Sequence, residues 1–198
     1  MRIICLDLEG VLIPEIWISL ADITGTEKLK LTTRDIEDYD KLMSFRLKIL
    51  REKKLKINDI LKAVDVLNPF EGAIEFINNL SNNNQVIILS DTFYEISYPL
   101  LKKLGNPTIF CHHLLVGNSG EILGYKLRQK NQKKFSVEAF KSLNFEVFAA
   151  GDSFNDVDML KSADFGVWFK PPKNLVNKYP NFDRAYNYND LFNFLTNQ

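Results

Sequence analysis

Two carboxylates one residue apart follow a short apolar run near the start of the chain: Ile3-Ile4-Cys5-Leu6, then Asp7-Leu8-Glu9-Gly10. The run has the composition of a buried strand. Acidic groups at its end are costly unless a cation or an incoming ligand uses them. The pattern recurs downstream, where Phe145-Glu146-Val147-Phe148-Ala149-Ala150 leads into Gly151-Asp152-Ser153-Phe154-Asn155-Asp156. Two strands that end in acid predict one oxygen-lined cation site at the carboxyl edge of a parallel sheet, where open α/β folds place their chemistry. A carboxylate such as Asp7 can ligate Mg²⁺ with one oxygen and attack phosphorus with the other, becoming a covalent phosphoryl acceptor. Glu9 can protonate a leaving alkoxide and then deprotonate water. It points the same way as Asp7 if extended geometry persists beyond the strand. Asp152 offers the hard oxygen that Mg²⁺ prefers, Gly151 permits a close turn, and Asn155 or Asp156 can orient a ligand or a metal-bound water.

Two further junctions carry related signals. Ser90-Asp91-Thr92 follows the apolar run ending at Leu89 and is expected to open a helix. The free N–H groups of such a helix bind anions, and the Ser90 hydroxyl adds a donor. The same residue types also serve as plain helix caps. Lys133 and Lys134 open another expected helix, where cations oppose the dipole. That placement makes sense if one of them reaches an anion; otherwise both belong to a solvated basic run with Arg128 and Lys130. A phosphate monoester dianion beside Asp7, Glu9 and Asp152 would be repelled, and one Mg²⁺ and one lysine offset most of that charge. Cys111-His112-His113 has no second ligand pair nearby and alternates faces in a strand, so it is not read as a zinc site. Trp17 and Met43 are expected to pack an inserted segment or wall the pocket.

The elements that must position these residues alternate. The chain has 198 residues, 45% hydrophobic and 25% charged, with 25 basic and 25 acidic side chains. Such a balance fits one globular domain with an insertion and disfavours nucleic acid or an anionic membrane as partner. No apolar run suits a signal peptide or a bilayer span. Cys5 and Cys111 are expected to pack as thiols, and a cytoplasmic setting is the default. After the strand over residues 2–7, the segment 14–67 shows only helical spacing. From Pro69, helices and strands alternate, with a β-hairpin flanking Gly117-Asn118-Ser119-Gly120. The expected fold is α/β: a Rossmann-like parallel sheet with helices on both faces, a core domain of residues 1–13 and 68–198, and a helical cap of residues 14–67 inserted after the first strand.

Asp7-x-Glu9, Ser90, Lys133 and Gly151-Asp152-x-x-Asn155-Asp156, in this order, resemble the four motifs of the haloacid dehalogenase superfamily, and the insert resembles the cap of its phosphoserine phosphatase branch. Asp7 to Trp17, Ser90 to Glu95 and Tyr125 to Lys130 are similar to the bifunctional phosphoserine phosphatase/phosphoserine–homoserine phosphotransferase subgroup, which also carries Glu in place of the second Asp. The resemblance implies that Asp7 is nucleophile and metal ligand. It implies that Glu9 is acid/base and binds Mg²⁺ through its backbone carbonyl, and that Asp152 is a metal ligand. Ser90, Asp91, Asn155 and Lys133 (or Lys134, if the helix register differs by one) would bind the substrate, with Gly151 and Asp156 in support. Glu15 and Arg46 match residues that grip the ammonium and carboxylate of an amino acid, a role for which Arg is well shaped. The expected activity is Mg²⁺-dependent hydrolysis of phosphoserine in L-serine biosynthesis, with homoserine as a second phosphoryl acceptor. The alternatives are a phosphatase of another small phosphomonoester, a dehalogenase on the same scaffold, and a receiver-type phospho-acceptor module. Oligomeric state, including a homodimer, is left open.

Overall fold

The computed structural model describes residues 1–33, 35–36 and 38–197. Strand β1 (Arg2–Leu6) lies at the centre of the sheet. Four consecutive apolar residues suit a strand buried on both faces. Ile4 and Leu6 enter one side of the core with Phe76, Leu191 and Leu195, whereas Ile3 and Cys5 enter the other with Val137, Met159 and Leu160. Cys5 and Cys111 are both buried free thiols.

The remaining strands are β2 (Gln85–Phe93), β3 (Thr108–Val116), β4 (Ile122–Lys126), β5 (Glu146–Gly151), β6 (Phe165–Phe169) and β7 (Asp183–Ala185). Among the described residues they form one sheet in the order β4-β3-β2-β1-β5-β6-β7. Every pairing is parallel except β3 with β4, which form the expected hairpin. Because β2 and β5 flank β1 on opposite sides, the winding reverses at β1. The crevice at its carboxyl end is the place such sheets bind ligands.

Between β1 and β2 run α1 (Ile16–Thr24), a 3-10 turn over Glu27–Lys30, α2 (Tyr39–Glu52) and α3 (Ile57–Val66). Helix α1 ends where Gly25 takes the left-handed conformation that glycine adopts without a Cβ penalty. Asp38 caps α2 by accepting the Lys41 N–H at 3.0 Å. Leu20, Met43, Leu50 and Ile60 from this insert join the main core. The β3–β4 hairpin ties it down as well: the Ile57 N–H donates to the Gly120 carbonyl at 2.8 Å, and Arg51 to that of Leu123 at 2.9 Å.

The other helices are α4 (Ala73–Ser81), α5 (Tyr94–Lys103), α6 (Gln132–Ser142), α7 (Val157–Ser162), α8 (Lys173–Lys178) and α9 (Tyr188–Thr196). One expectation is corrected. Ser90-Asp91-Thr92 does not open a helix. Strand β2 continues through these residues to Phe93, which pairs with His112 of β3 across an irregularity in the ladder. Phe93 is fully buried, so strand pairing and burial override the capping tendency of Ser, Asp and Thr. Helix α5 starts at Tyr94 without a side-chain cap. Likewise the strand expected over residues 108–111 and the hairpin arm at 114–116 are one element, β3.

Helix α7 packs closely on β6. A Cβ on Gly166 would lie 2.6 Å from the Leu160 carbonyl oxygen and 2.9 Å from its Cβ. Gly166→Ala is therefore expected to destabilise the fold by about 1–3 kcal/mol, read as a lower urea midpoint at an unchanged slope. An unchanged midpoint would mean that helix and strand are not in close contact there.

Candidate active site

Asp7 is the first residue beyond β1, and its N–H still donates to Ala150 at 3.0 Å, extending the ladder by one bond. Gly10 follows at φ +82°, and a Cβ there would sit 2.4 Å from the Asp152 carboxyl carbon. Glycine at this position lets the loop after β1 close over Asp152, the first residue beyond β5. Asp156 turns back on the same loop, where its Oδ2 accepts the N–H groups of Asp152 at 3.0 Å and Ser153 at 3.1 Å. Gly151 is needed because the Asp156 carboxyl fills the space a Cβ would take. Asp7, Asp152 and Asp156 are all buried, and they bring carboxylate oxygens within 4.8 Å of one another.

Lys133, in the first turn of α6, reaches into this cluster. Its Nζ lies 2.7 Å from Asp156 Oδ1, 2.9 Å from Asp7 Oδ1 and 3.8 Å from Asp91 Oδ2, with the side chain 2% exposed. Burial alone would lower its pKa, but Asp156, Asp7 and Asp91 outweigh that and hold the ammonium well above its ordinary range. Lys134 points elsewhere and pairs with Glu138. Burial pushes the Asp7 carboxyl well above the usual range; Asp156 and Asp152 add repulsion, and Lys133 opposes it. One ammonium does not neutralise this set of carboxylates. Their hard oxygens suit a small divalent cation.

Glu9 takes a different environment from Asp7. The strand stops at Leu6, and the Glu9 Oε2 accepts the Ile16 N–H at 2.9 Å, at the start of α1. Its carboxyl is raised by burial, against the Ile16 amide, Arg46 and a hydrogen bond with Glu15. Arg46 comes from α2 and lies 4.5 Å above the Trp17 ring, donating to the Leu31 carbonyl at 2.9 Å. Burial pulls it down to about 10. Its buried Nε has no hydrogen-bond partner among the described residues. A cavity of about 50 Å³ lies between Asp7, Glu9, Glu15, Arg46, Ser90 and Asn155.

Ser90 and Asp91 are successive residues of β2. The Ser90 hydroxyl oxygen accepts the Thr92 N–H at 3.3 Å. Asp91 faces α6, and its Oδ2 accepts from Asn155 Nδ2 at 2.8 Å. Burial pushes Asp91 up, but Lys133 together with His112 and Asn155 holds it below the usual carboxylate range. Apart from Lys134, the candidate site residues thus surround one site, with Asp7, Asp152 and Asp156 in the acidic cluster and Glu9, Glu15 and Arg46 under the helical insert. Two neighbours lie outside that set. Tyr39 donates its hydroxyl to the Asp91 carbonyl at 2.8 Å, and His112 Nε2 lies 3.4 Å from Asp91 Oδ1. Neither carries a local sequence signal for this role.

Residues 1–164 match the family model described as haloacid dehalogenase-like hydrolase. The chain is 53% identical over 191 residues to phosphoserine phosphatase ThrH of Pseudomonas aeruginosa, covering 96% of this chain and 93% of that one. It is 51% identical over 191 residues to a phosphoserine phosphatase of Pseudomonas syringae pv. tomato, covering 96% and 81%. A crystal structure of phosphoserine phosphatase in its apo form matches with a TM-score of 0.74 at 25% identity, over 89% of this chain and 90% of that one.

The cluster depends on its one ammonium. Lys133→Met, without added divalent cation, is expected to cost about 3–5 kcal/mol, because it leaves buried carboxylates unpaired. Thermal and urea unfolding give the answer, and a variant as stable as the parent would show that the ammonium is not what holds Asp7 and Asp156 together.

Proposed function

The chain belongs to the haloacid dehalogenase-like hydrolases, and from that premise we propose that it is a phosphoserine phosphatase working through an aspartyl phosphate on Asp7. The observation that carries this reading is the meeting of two half-sites. Asp7, bridged by Lys133 to Asp156, provides a nucleophile. Glu15 and Arg46, at the same cavity, provide one partner each for an ammonium and a carboxylate.

Asp7 attacks phosphorus with one carboxylate oxygen, and the bond to the serine oxygen breaks. Lys133 holds the other charges in place and balances the incoming oxygens with Ser90. Burial favours the protonated form of Glu9, which suits it to give its proton to the departing alkoxide; the resulting carboxylate then takes a proton from the water that hydrolyses the aspartyl phosphate. Asp91 and Asn155 fix Lys133 and the edge of the phosphoryl pocket. Asp7, Asp152 and the Glu9 backbone carbonyl would hold Mg²⁺, with Asp156 in support, since its oxygens already serve Lys133 and two amides. When bound, the cation screens the dianion from the carboxylates.

Residues 14–67 serve as a cap on a core of residues 1–13 and 68–198. The cavity of about 50 Å³ under this cap adjoins a larger one of about 580 Å³, with Tyr39, Asp91 and Asn155 lining both. Homoserine carries the same ammonium and carboxylate as serine. Held by Glu15 and Arg46 in the place serine vacates, it competes with water for the phosphoryl group through its high effective concentration. Among the described residues no helix is long and apolar enough to cross a membrane; the setting we propose is cytoplasmic L-serine biosynthesis.

O-phospho-L-serine with Mg²⁺ is expected to release phosphate, and exhaustive chelation to stop it. With homoserine added, phosphohomoserine should appear at the expense of free phosphate. Activity that survives chelation removes the cation from the reaction, and phosphate release without phosphohomoserine at saturating homoserine leaves a phosphatase alone.

Selectivity tests the cap. Arg46→Ala should raise KM for phosphoserine and leave phosphoethanolamine, which lacks the carboxylate, little changed, with about 2–5 kcal/mol at stake for a desolvated pair. Equal losses on both substrates would assign Arg46 to the fold or the phosphate.

A further inference from the structure

We propose that His112 is a positioning residue, which fixes the Asp91 carboxylate so that it holds Asn155 and Lys133 instead of turning toward the phosphoryl pocket. The inference rests on the phosphatase reading and adds a residue to its machinery. His112 belongs to β3, beside Phe93 of β2, and is 2% exposed. Its Nδ1 accepts the backbone N–H of Arg128 at 3.1 Å. That bond settles the tautomer of a neutral ring: the proton sits on Nε2. Nε2 in turn faces Asp91 Oδ1 at 3.4 Å.

The backbone beside Asp91 is already clamped. Gln132 Nε2 donates to the Ser90 carbonyl at 2.7 Å, and the Tyr39 hydroxyl to the Asp91 carbonyl at 2.8 Å. What remains free is the side-chain torsion of Asp91. Oδ2 is taken by Asn155 at 2.8 Å and approached by Lys133 at 3.8 Å, and His112 Nε2 approaches Oδ1 at 3.4 Å. Without that donor, Oδ1 of this half-buried side chain is a charged atom that has lost its protein partner. Rotation to find another brings negative charge toward Ser90, where the substrate's own negative charge must sit, and loosens the hold on Lys133 and Asn155. His112 does not touch the reacting atoms; it acts through Asp91.

The ring also packs edge-on to Tyr39 at 5.8 Å and near Phe93 at 6.4 Å. Phenylalanine can keep those contacts while making neither polar one. The experiment compares H112F, H112N, D91N, the two double variants with D91N, and H113Q, an exposed neighbour paired with Glu95, as control. Each is measured for unfolding midpoint and for kcat and KM with phosphoserine and with p-nitrophenyl phosphate. H112F is expected to fold and to lose about tenfold in kcat on both substrates, a change of about 1.4 kcal/mol, with KM for phosphoserine nearly constant. H112N, which can still accept and donate, should recover part of the loss, and H113Q should match the parent. In the D91N background, H112F should cost nothing further, because the interaction it removes is already gone.

Wild-type kcat in H112F, or losses that add to those of D91N, overturns the proposal. So does a loss confined to KM for phosphoserine. Should H112F fail to fold, H112N decides: a kcat loss that vanishes in the D91N background supports the assignment, and one that persists refutes it. A parent protein active on p-nitrophenyl phosphate but not on phosphoserine defeats the substrate reading and leaves the His112 test intact. A parent inactive on both defeats the phosphatase reading and this inference with it.

Discussion

A single ammonium among buried carboxylates is the interaction on which the rest of this structure depends. Lys133 is placed in the first turn of α6, where the helix dipole disfavours a cation and where burial strips its water. Asp7, Asp156 and Asp91 reverse both penalties. They come from the ends of β1, the loop after β5 and the end of β2, so the cluster exists only when those three strands lie side by side in the order observed. Glycine at positions 10 and 151 is part of the same constraint: each lies where a carboxylate of the cluster already occupies the space of a Cβ. The sheet topology, the two tight turns and the phase of α6 all answer to one problem in charge balance.

Two acidic residues two positions apart thereby acquire different surroundings. Asp7 stays at the sheet edge, beside a lysine and two other carboxylates. Glu9 passes beyond the end of the strand and enters the insert, where the start of α1 supplies an amide and Arg46 and Glu15 supply neighbours. Burial raises both carboxyls, opposed at Asp7 by Lys133 and at Glu9 by the Ile16 amide and Arg46, so it is their partners that divide the two. The extra methylene of Glu suits this division, since it lets the side chain reach the Ile16 amide from a backbone that turns at Gly10.

Much of this is legible in the sequence because the site lies where apolar runs end in polar residues. Asp7 and Asp152 each follow that rule, Lys133 stands instead in a basic run at the start of a helix, and the hairpin at residues 117–120 announces itself by its glycines. Ser90-Asp91-Thr92 misleads for a physical reason: its residue types favour caps, and nothing local reveals that Phe93 pairs with His112 of the next strand. The choice between Lys133 and Lys134 depends on helix phase, which the structure supplies by burying one and pairing the other with Glu138. Glu15 and Arg46 carry no local signal of a shared pocket; only the family resemblance singles them out. His112 is invisible as a partner of Asp91, because an imidazole in a strand takes its meaning from the neighbouring strand.

The β3–β4 hairpin links the two halves of the site. At its tip, Gly120 accepts the Ile57 N–H of the insert, and on β4 Tyr125 donates its hydroxyl to Asp40 of α2. Lower on β3, His112 stands against Asp91. Tyr39 at the start of α2 touches both, packing edge-on to His112 and donating to the Asp91 carbonyl. The same residues that seat the insert on the sheet therefore complete the surroundings of Asp91.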